Sequence, residues 1–239
     1  MELLRSATGQ VMIEGHRGAE GLAVENTWPA LEAGYAAGAD WLEIDIHRAQ
    51  DGALVIYHNY TLPDGRWVRA LGWNELSQAR PKGYTLIRLE EAFDWLSGKS
   101  VRLTLDFKNG FGFDRQVFFD ALEMVKARGL EDRVMFAGWD HGALLACKRR
   151  HPAVTTLALL RARPVDVVQL AHQAQVDAIN LDADMVQIDD VERLHAAGLA
   201  VVIAELYDAD FRRALRMGAD IICCKDPGQA KAVVAEVGL

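Results

Sequence analysis

The stretch Trp41-Leu42-Glu43-Ile44-Asp45-Ile46-His47 places two kinds of residue on alternate positions. In a strand, side chains two apart share a face. Glu43, Asp45 and His47 therefore stand together, and Leu42, Ile44 and Ile46 stand opposite them. Two carboxylates side by side and away from water repel each other and lose hydration, so they call for a cation or a shared proton. Oxygen donors of this kind suit a hard divalent ion such as Mg²⁺ or Ca²⁺. An exposed edge strand with a polar face is the other source of such a pattern. His47 reads as a supporting or packing residue on that face rather than a ligand.

The same alternation recurs in Leu103-Thr104-Leu105-Asp106-Phe107-Lys108. Asp106 offers a third carboxylate. Lys108, on the same face, offers a fixed positive charge for an anionic substrate, or an ion pair with one of the acids. Upstream, Ile13-Glu14-Gly15-His16-Arg17-Gly18 ends an apolar run with small residues around a His-Arg pair. Histidine is the usual proton-transfer group near neutral pH, and arginine carries a planar fork that matches phosphate oxygens. Asp51-Gly52 reads as a tight turn, and the run after it ends at His58, where the chain leaves the sheet. Two histidines, three carboxylates, one arginine and one lysine thus collect at strand ends. That set suits metal-assisted attack on a phosphoryl centre, with an anion clamp, an acid and a base.

Something must hold these ends together. β-like runs at Val11–Gly15, Trp41–His47, Val101–Phe107, Val134–Ala137, Thr155–Leu160, Ala178–Leu181, Ala200–Ala204 and Asp220–Cys224 alternate with helical patterns. Those patterns cover Trp28–Ala37, Leu89–Leu96, Asp114–Arg128, Gly142–Arg150, Pro164–Gln173, Asp189–Ala197, Ala209–Met217 and Gly228–Val237. Gly38, Gly98, Gly129, Gly198 and Gly218 follow helical runs, where a left-handed cap is wanted. Ala53–Tyr57 extends the second unit. Nearly continuous apolar strands separated by helices argue for a parallel sheet buried on both faces. Eight such units in 239 residues favour one closed (β/α)8 TIM barrel, residues 1–239, over an open sheet. In that fold, active sites sit at the carboxyl ends of the strands. Residues 59–88 break the rhythm with Pro63, Gly65, Gly72, Pro81 and Gly83, and read as an inserted cap segment after the second strand. Trp67, Trp73 and Tyr84 favour its being ordered.

Bulk properties narrow the partners. The formal net charge of -8 disfavours a sequence-independent nucleic-acid binder, which would need a basic face. Three cysteines, two of them adjacent, do not make a disulfide framework. They fit a reducing cytoplasm. Met1–Ser6 carries no apolar run of signal-peptide or membrane-span length, so stable membrane insertion is not expected.

His16-Arg17-Gly18, Glu25-Asn26-Thr27, Glu43-Ile44-Asp45-Ile46-His47, Asp51-Gly52 and His58 follow one signature in type and spacing. The chain resembles the glycerophosphodiester phosphodiesterase family. Looser similarity continues through Leu89-Glu90-Glu91-Ala92, Asp106 to Lys108 and His195-Ala196-Ala197-Gly198. The resemblance implies a barrel with a small cap and a divalent cation, Mg²⁺, Ca²⁺ or Mn²⁺. The ligands would be Glu43, Asp45 and Asp106, the acid-base pair His16 and His58, and the phosphate holders Arg17 and Lys108. The reaction would be hydrolysis of a glycerophosphodiester, a small molecule, to glycerol 3-phosphate and an alcohol. The chain departs from the family in four places. Asp106 stands where the family usually has Glu, and Asn59 where it has Asp. Ala204-Glu205-Leu206-Tyr207 replaces a Trp-Thr-Val-Asn stretch, and Cys224-Lys225 replaces a Thr-Asp pair. The far side of the mouth is therefore the altered side. Two other readings are a lysophospholipase D-like hydrolase, with Trp67 and Trp73 against lipid, and a barrel that binds a phosphate ester without turnover.

Overall fold

The computed structural model describes residues 1–111, 114–206 and 211–238. Its strands are β1 (Met12–Gly15), β2 (Trp41–Arg48), β3 (Leu54–Ile56), β4 (Ile87–Arg88), β5 (Arg102–Phe107), β6 (Val134–Gly138), β7 (Thr155–Leu160), β8 (Ala178–Asp182), β9 (Ala200–Leu206) and β10 (Ile221–Cys224). Its helices are α1 (Arg5–Thr8), α2 (Trp28–Ala36), α3 (Trp73–Leu76), α4 (Leu89–Trp95), α5 (Gln116–Arg128), α6 (His141–Arg150), α7 (Val167–Ala174), α8 (Ile188–Ala196), α9 (Phe211–Met217) and α10 (Pro227–Glu236). The expected start of α9 at Ala209 lies outside the described residues.

β1, β2 and β5 to β10 pair in parallel in that order, and β10 returns to β1, so the sheet closes. The alternation in the sequence explains both faces. Ile13, Leu42, Ile44, Ile46, Leu103 and Leu105 point outward into one cluster with Leu31, Phe118, Leu122 and Leu144 of the helices. Each such side chain, fully buried, contributes about 1.5–3 kcal/mol. Met12, Trp41, Met135, Leu157, Val202 and Ile221 point inward and fill the lower barrel, with Leu3 closing it from below. β3 lies outside the ring. It pairs antiparallel with the end of β2, and β4 pairs antiparallel with β3.

Two helices start later than their sequence patterns. Asp166 is not yet helical but caps α7, accepting from Gln169 N–H at 3.1 Å, so the helix cannot begin at Pro164. Asp114 likewise accepts from Gln116 N–H at 3.0 Å ahead of α5. The five glycines expected at helix ends all have positive φ. Within residues 59–88 the structure has two 3-10 turns and α3. Leu62, Val68, Leu71, Leu76 and Leu86 form a small apolar core with Ala49, Val55 and Tyr57. Trp73 is half-buried and packs against this core, with the Arg88 guanidinium over its ring. No helix among the described residues is long and apolar enough to cross a membrane.

The lower end of the barrel is fastened by a repeated device. An Asp immediately before a strand accepts the backbone N–H of the preceding strand and a base on a helix. Asp40 takes Ile13 N–H and Lys231, each at 2.8 Å. Asp177 takes Thr156 N–H at 2.8 Å and Lys148 at 2.7 Å. Asp220 takes Val201 N–H at 2.7 Å and His195 at 2.8 Å, and its other oxygen takes Arg5 N–H at 2.6 Å. Asp220 is 1% exposed, so Asp220→Ala strands the buried Val201 N–H and removes the partner of His195 and of Arg5 N–H. We expect it to cost on the order of 3 kcal/mol. Urea unfolding checks this, and a midpoint unchanged from the parent would show that the fastening is not needed for stability.

Candidate active site

The first strand delivers His16 and Arg17 through a tight turn. At Gly15 a Cβ would lie 2.0 Å from Gly18 O, so no other residue fits without moving the backbone. Arg17 itself takes a positive φ of 50°. That unusual conformation lets its N–H donate to Glu43 Oε2 at 2.7 Å, while Gly18 N–H donates to Glu43 O at 2.9 Å. The turn is therefore laid across β2.

Glu43 and Asp45, from β2, meet Asp106, from β5, because Asp45 and Asp106 are register partners in the parallel pair. One carboxylate oxygen from each lies within 4.8 Å of the others. Lys108 Nζ bridges two of them, 2.7 Å from Asp45 Oδ1 and 2.5 Å from Asp106 Oδ2. Arg17 Nε stands 3.6 Å from Asp45 Oδ2. Glu43 Oε1 and Asp106 Oδ1 are buried and have no hydrogen-bond partner among the described residues. Orphaned acceptors are costly in a protein interior. An all-oxygen donor set with two acceptors to spare fits a hard divalent cation.

The electrostatics follow from burial. Burial, then the neighbouring Asp45 and Asp106, holds the Glu43 carboxyl well above its ordinary range. Burial also raises Asp106 despite Lys108. Asp45 differs: burial pushes it up, but Lys108, His58 and Arg17 outweigh that and bring it down to about 2. Burial opposes charge on Lys108 too, and Asp106, Asp45 and Glu43 overcome it, so the ammonium holds its proton above the ordinary lysine range.

Each residue of Glu25-Asn26-Thr27 has its own task. Glu25 accepts from Arg17 Nη1 at 2.6 Å and from Lys82 of the inserted segment at 2.7 Å. Asn26, with φ of 57°, clasps Asp45: its amide donates to Oδ2 at 2.6 Å and its carbonyl accepts Asp45 N–H at 3.2 Å. Thr27 caps α2, accepting from Ala30 N–H at 3.4 Å.

His16 and His58 both line one cavity of about 490 Å³, with Arg17, Glu43, Asp106 and Lys108. His16 Nε2 is 3.9 Å from Glu43 Oε2. His58 Nδ1 meets Asn59 Oδ1 at 2.9 Å. All seven residues singled out in the sequence thus converge, with Asp45 reaching the cluster from behind its neighbours. His47 does not line this cavity. It is buried, packs edge-on against Tyr60, and approaches His58 O at 3.4 Å. Burial lowers its imidazole to about 4, so it is neutral at physiological pH. The opposite wall carries Trp139, Arg161, Asn180, Asp182 and Ala204. Tyr207, part of the altered stretch on that side, lies outside the described residues.

Residues 16–229 match the Glycerophosphoryl diester phosphodiesterase family. The chain belongs to this family. Among its relatives, the uncharacterized protein YqiK of Bacillus subtilis (strain 168) is 31% identical over 163 residues, 62% of this chain and 65% of that protein. A glycerophosphodiester phosphodiesterase of Caldanaerobacter subterraneus subsp. tengcongensis is 23% identical over 155 residues, 60% of this chain and 64% of that protein. The chain thus spans just under two thirds of the length of these curated relatives. Among solved structures, a candidate glycerophosphodiester phosphodiesterase from Galdieria sulphuraria superposes with a TM-score of 0.85 at 25% identity, over 94% of this chain and 98% of that one. An Oleispira antarctica phosphodiesterase, solved with the product sn-glycerol-3-phosphate, gives a TM-score of 0.88 at 21% identity, over 96% of this chain and 99% of that one.

As a member of the glycerophosphoryl diester phosphodiesterase family, the protein has site residues that its strand patterns do not reveal. Asn26 and Glu25 act from a loop, where no periodicity marks them. Glu20 accepts from His16 Nδ1 at 2.9 Å, and the only trace of this in the sequence is the i, i+4 spacing. Glu14 and Thr104 hydrogen-bond each other on the cavity floor, and burial raises the Glu14 carboxyl.

Proposed function

We propose that the chain hydrolyses glycerophosphodiesters to glycerol 3-phosphate and an alcohol, with a divalent cation held by Glu43, Asp45 and Asp106. The observation that carries this reading is one cavity in which two histidines, an arginine and a lysine meet Glu43 and Asp106, each with an unpartnered oxygen, with Asp45 buried beside them in the same cluster. Family membership and the glycerol 3-phosphate bound by the Oleispira relative support it.

A bound divalent cation would stabilise negative charge on the phosphoryl oxygens. Arg17 and Lys108 hold the diester by its non-bridging oxygens. Both are preset by carboxylates, so the phosphate meets cations already in place. His16 and His58 move the protons: one takes a proton from the attacking oxygen, and the other gives one to the departing alcohol oxygen. The phosphorus–oxygen bond to the alcohol breaks, and the phosphate stays on glycerol.

A panel of phosphodiesters assayed with and without chelator tests the reading. Activity should vanish with chelator and return with Mg²⁺, Ca²⁺ or Mn²⁺. Full turnover in metal-free protein would remove the cation from the mechanism. Asp106→Asn keeps shape and loses one charge, so it should weaken cation affinity about 10-fold or more while leaving the fold intact. Unchanged affinity by titration calorimetry would mean that β2 alone holds the ion.

One feature favours a lipid-linked diester as a second reading. Tyr60 lines the cavity and stacks edge-on with Phe111, 5.0 Å away, which stacks on Trp67 at 5.4 Å. Phe111 is 68% exposed, giving an apolar path from the site to the surface. Comparing short-chain alcohol diesters with lysophospholipid micelles separates the two readings.

A further inference from the structure

His16 opens a tight turn in which Arg17 and Gly18 both take positive φ. Glu20 N–H donates to His16 O at 3.2 Å, which closes the turn and brings residues 16 and 20 together. Across that turn, His16 Nδ1 and Glu20 Oε1 are 2.9 Å apart. An ionised carboxylate only accepts, so Nδ1 carries the proton in this contact. The other ring nitrogen, Nε2, is the one on the Glu43 side, and it is left to exchange protons.

Glu20 is itself held. Lys225 Nζ, at the end of β10, lies 3.4 Å from Oε1, and Arg17 Nη1 lies 3.8 Å from Oε2. Gly21 N–H also donates to Lys225 O at 3.0 Å, tying this turn to the barrel wall. Burial pushes the Glu20 carboxyl up, but the His16 hydrogen bond with Arg17 and Lys225 brings it down to about 2. It is a carboxylate at working pH. His58 has no such partner in its Nδ1 contact, which is the neutral amide oxygen of Asn59.

We propose that Glu20 is a positioning residue for His16, fixing the ring orientation and the Nδ1–H tautomer and stabilising the charge that develops when Nε2 takes a proton. This rests on the phosphodiesterase reading for its kinetic consequence but not for its structural one. A carboxylate behind a working imidazole is a general device for holding one tautomer. The asymmetry between the two histidines gives it a direct signature, because only His16 is backed by a charge.

The test uses the full chain with Glu20→Gln, Glu20→Asp and Lys225→Ala. Nitrogen NMR of ¹⁵N-histidine protein, recorded metal-free where the imidazoles are neutral, reads the tautomer; His16→Gln assigns the resonance. In the parent, His16 should show a protonated Nδ1 and a bare Nε2. In Glu20→Gln the two tautomers should mix. Turnover of an alkyl-alcohol diester should then fall on the order of 10- to 100-fold in kcat, with KM little changed. Glu20→Asp should restore part of the tautomer preference and part of kcat. Lys225→Ala should keep the tautomer, since it leaves the His16–Glu20 contact in place. An unchanged His16 tautomer in Glu20→Gln overturns the proposal, whether or not thermal stability falls. A mixed tautomer with undiminished kcat overturns its functional half. If the parent turns over no phosphodiester at all, the functional reading fails, yet the nitrogen spectrum still decides whether Glu20 sets His16.

Discussion

His16→Ala and His58→Ala are each expected to lower kcat/KM by about 10²–10⁴-fold, the usual worth of a positioned proton-transfer group. Both rings line the cavity that holds the carboxylate cluster. Their backbones leave different strands, β1 and β3, which would let them reach a bound phosphate from different directions. In-line displacement needs a base at the attacking oxygen and an acid at the leaving oxygen. The two losses should not add in the double variant, because both groups serve one transition state. A leaving-group comparison separates the roles. A nitrophenolate departs with little need of a proton, so the variant that lacks the acid should be largely rescued on a nitrophenyl diester, and the variant that lacks the base should not. Equal losses on good and poor leaving groups in both variants would mean that the histidines orient the phosphate rather than transfer protons.

The second large effect is expected from Lys108→Met, and in the metal-free protein it is an effect on stability. The Lys108 ammonium, 10% exposed, sits between Asp45 and Asp106. Taking one partner out of a buried charge group typically costs about 3–5 kcal/mol, because the remaining charges are left uncompensated. The pH dependence has a definite sign. Glu43 and Asp106 are raised in the folded protein, so their contribution to stability is present at low pH and lost as pH rises through the folded values. Asp45, brought down to about 2, contributes in the opposite sense: its share is present above the ordinary carboxylate range and lost as pH falls toward about 2. Without Lys108, Asp45 loses the main group that keeps it ionised and joins the raised pair. The deficit of the variant should therefore be large near neutrality and shrink on acidification. Added Mg²⁺ or Ca²⁺ should recover part of it, by supplying the missing positive charge. Urea unfolding at about pH 5 and pH 7.5, with and without cation, measures all three effects. An equal deficit at both pH values would show that Lys108 acts by packing alone.

The barrel was legible because its strands announce two periods at once. Leu42, Ile44 and Ile46 alternate with Glu43, Asp45 and His47, and the structure sends the first set to the helices and the second inward. The same logic carried Asp106 and Lys108. His47, read as a supporting or packing residue on the same face, packs against Tyr60 and approaches the His58 carbonyl. Lys108 had two readings, substrate clamp or ion pair, and the distances give it the ion pair in this state. Asn26 and Glu20 were harder to see for a physical reason. Their contacts depend on positive φ at Asn26 and on a single turn laid over β2, and neither leaves a periodic trace. The start of α7 was misjudged because Asp166 behaves as a cap rather than a first helical residue.

The aspartates beneath the barrel bear on how such a chain can change. Asp40, Asp177 and Asp220 act like hoops at the foot of a cask, each binding two neighbouring staves to a helix outside. The closure of the ring is secured at the end remote from the chemistry. Loops at the open end are then excused from structural duty and can be rewritten, lengthened or exchanged without loosening the vessel. The altered stretch that begins at Ala204 within β9 and the Cys224-Lys225 pair that ends β10 are changes at that open end. A graft of the mouth loops from a relative with another leaving-group preference should therefore transplant selectivity onto this foot, whereas a graft that cuts through the aspartates should not fold.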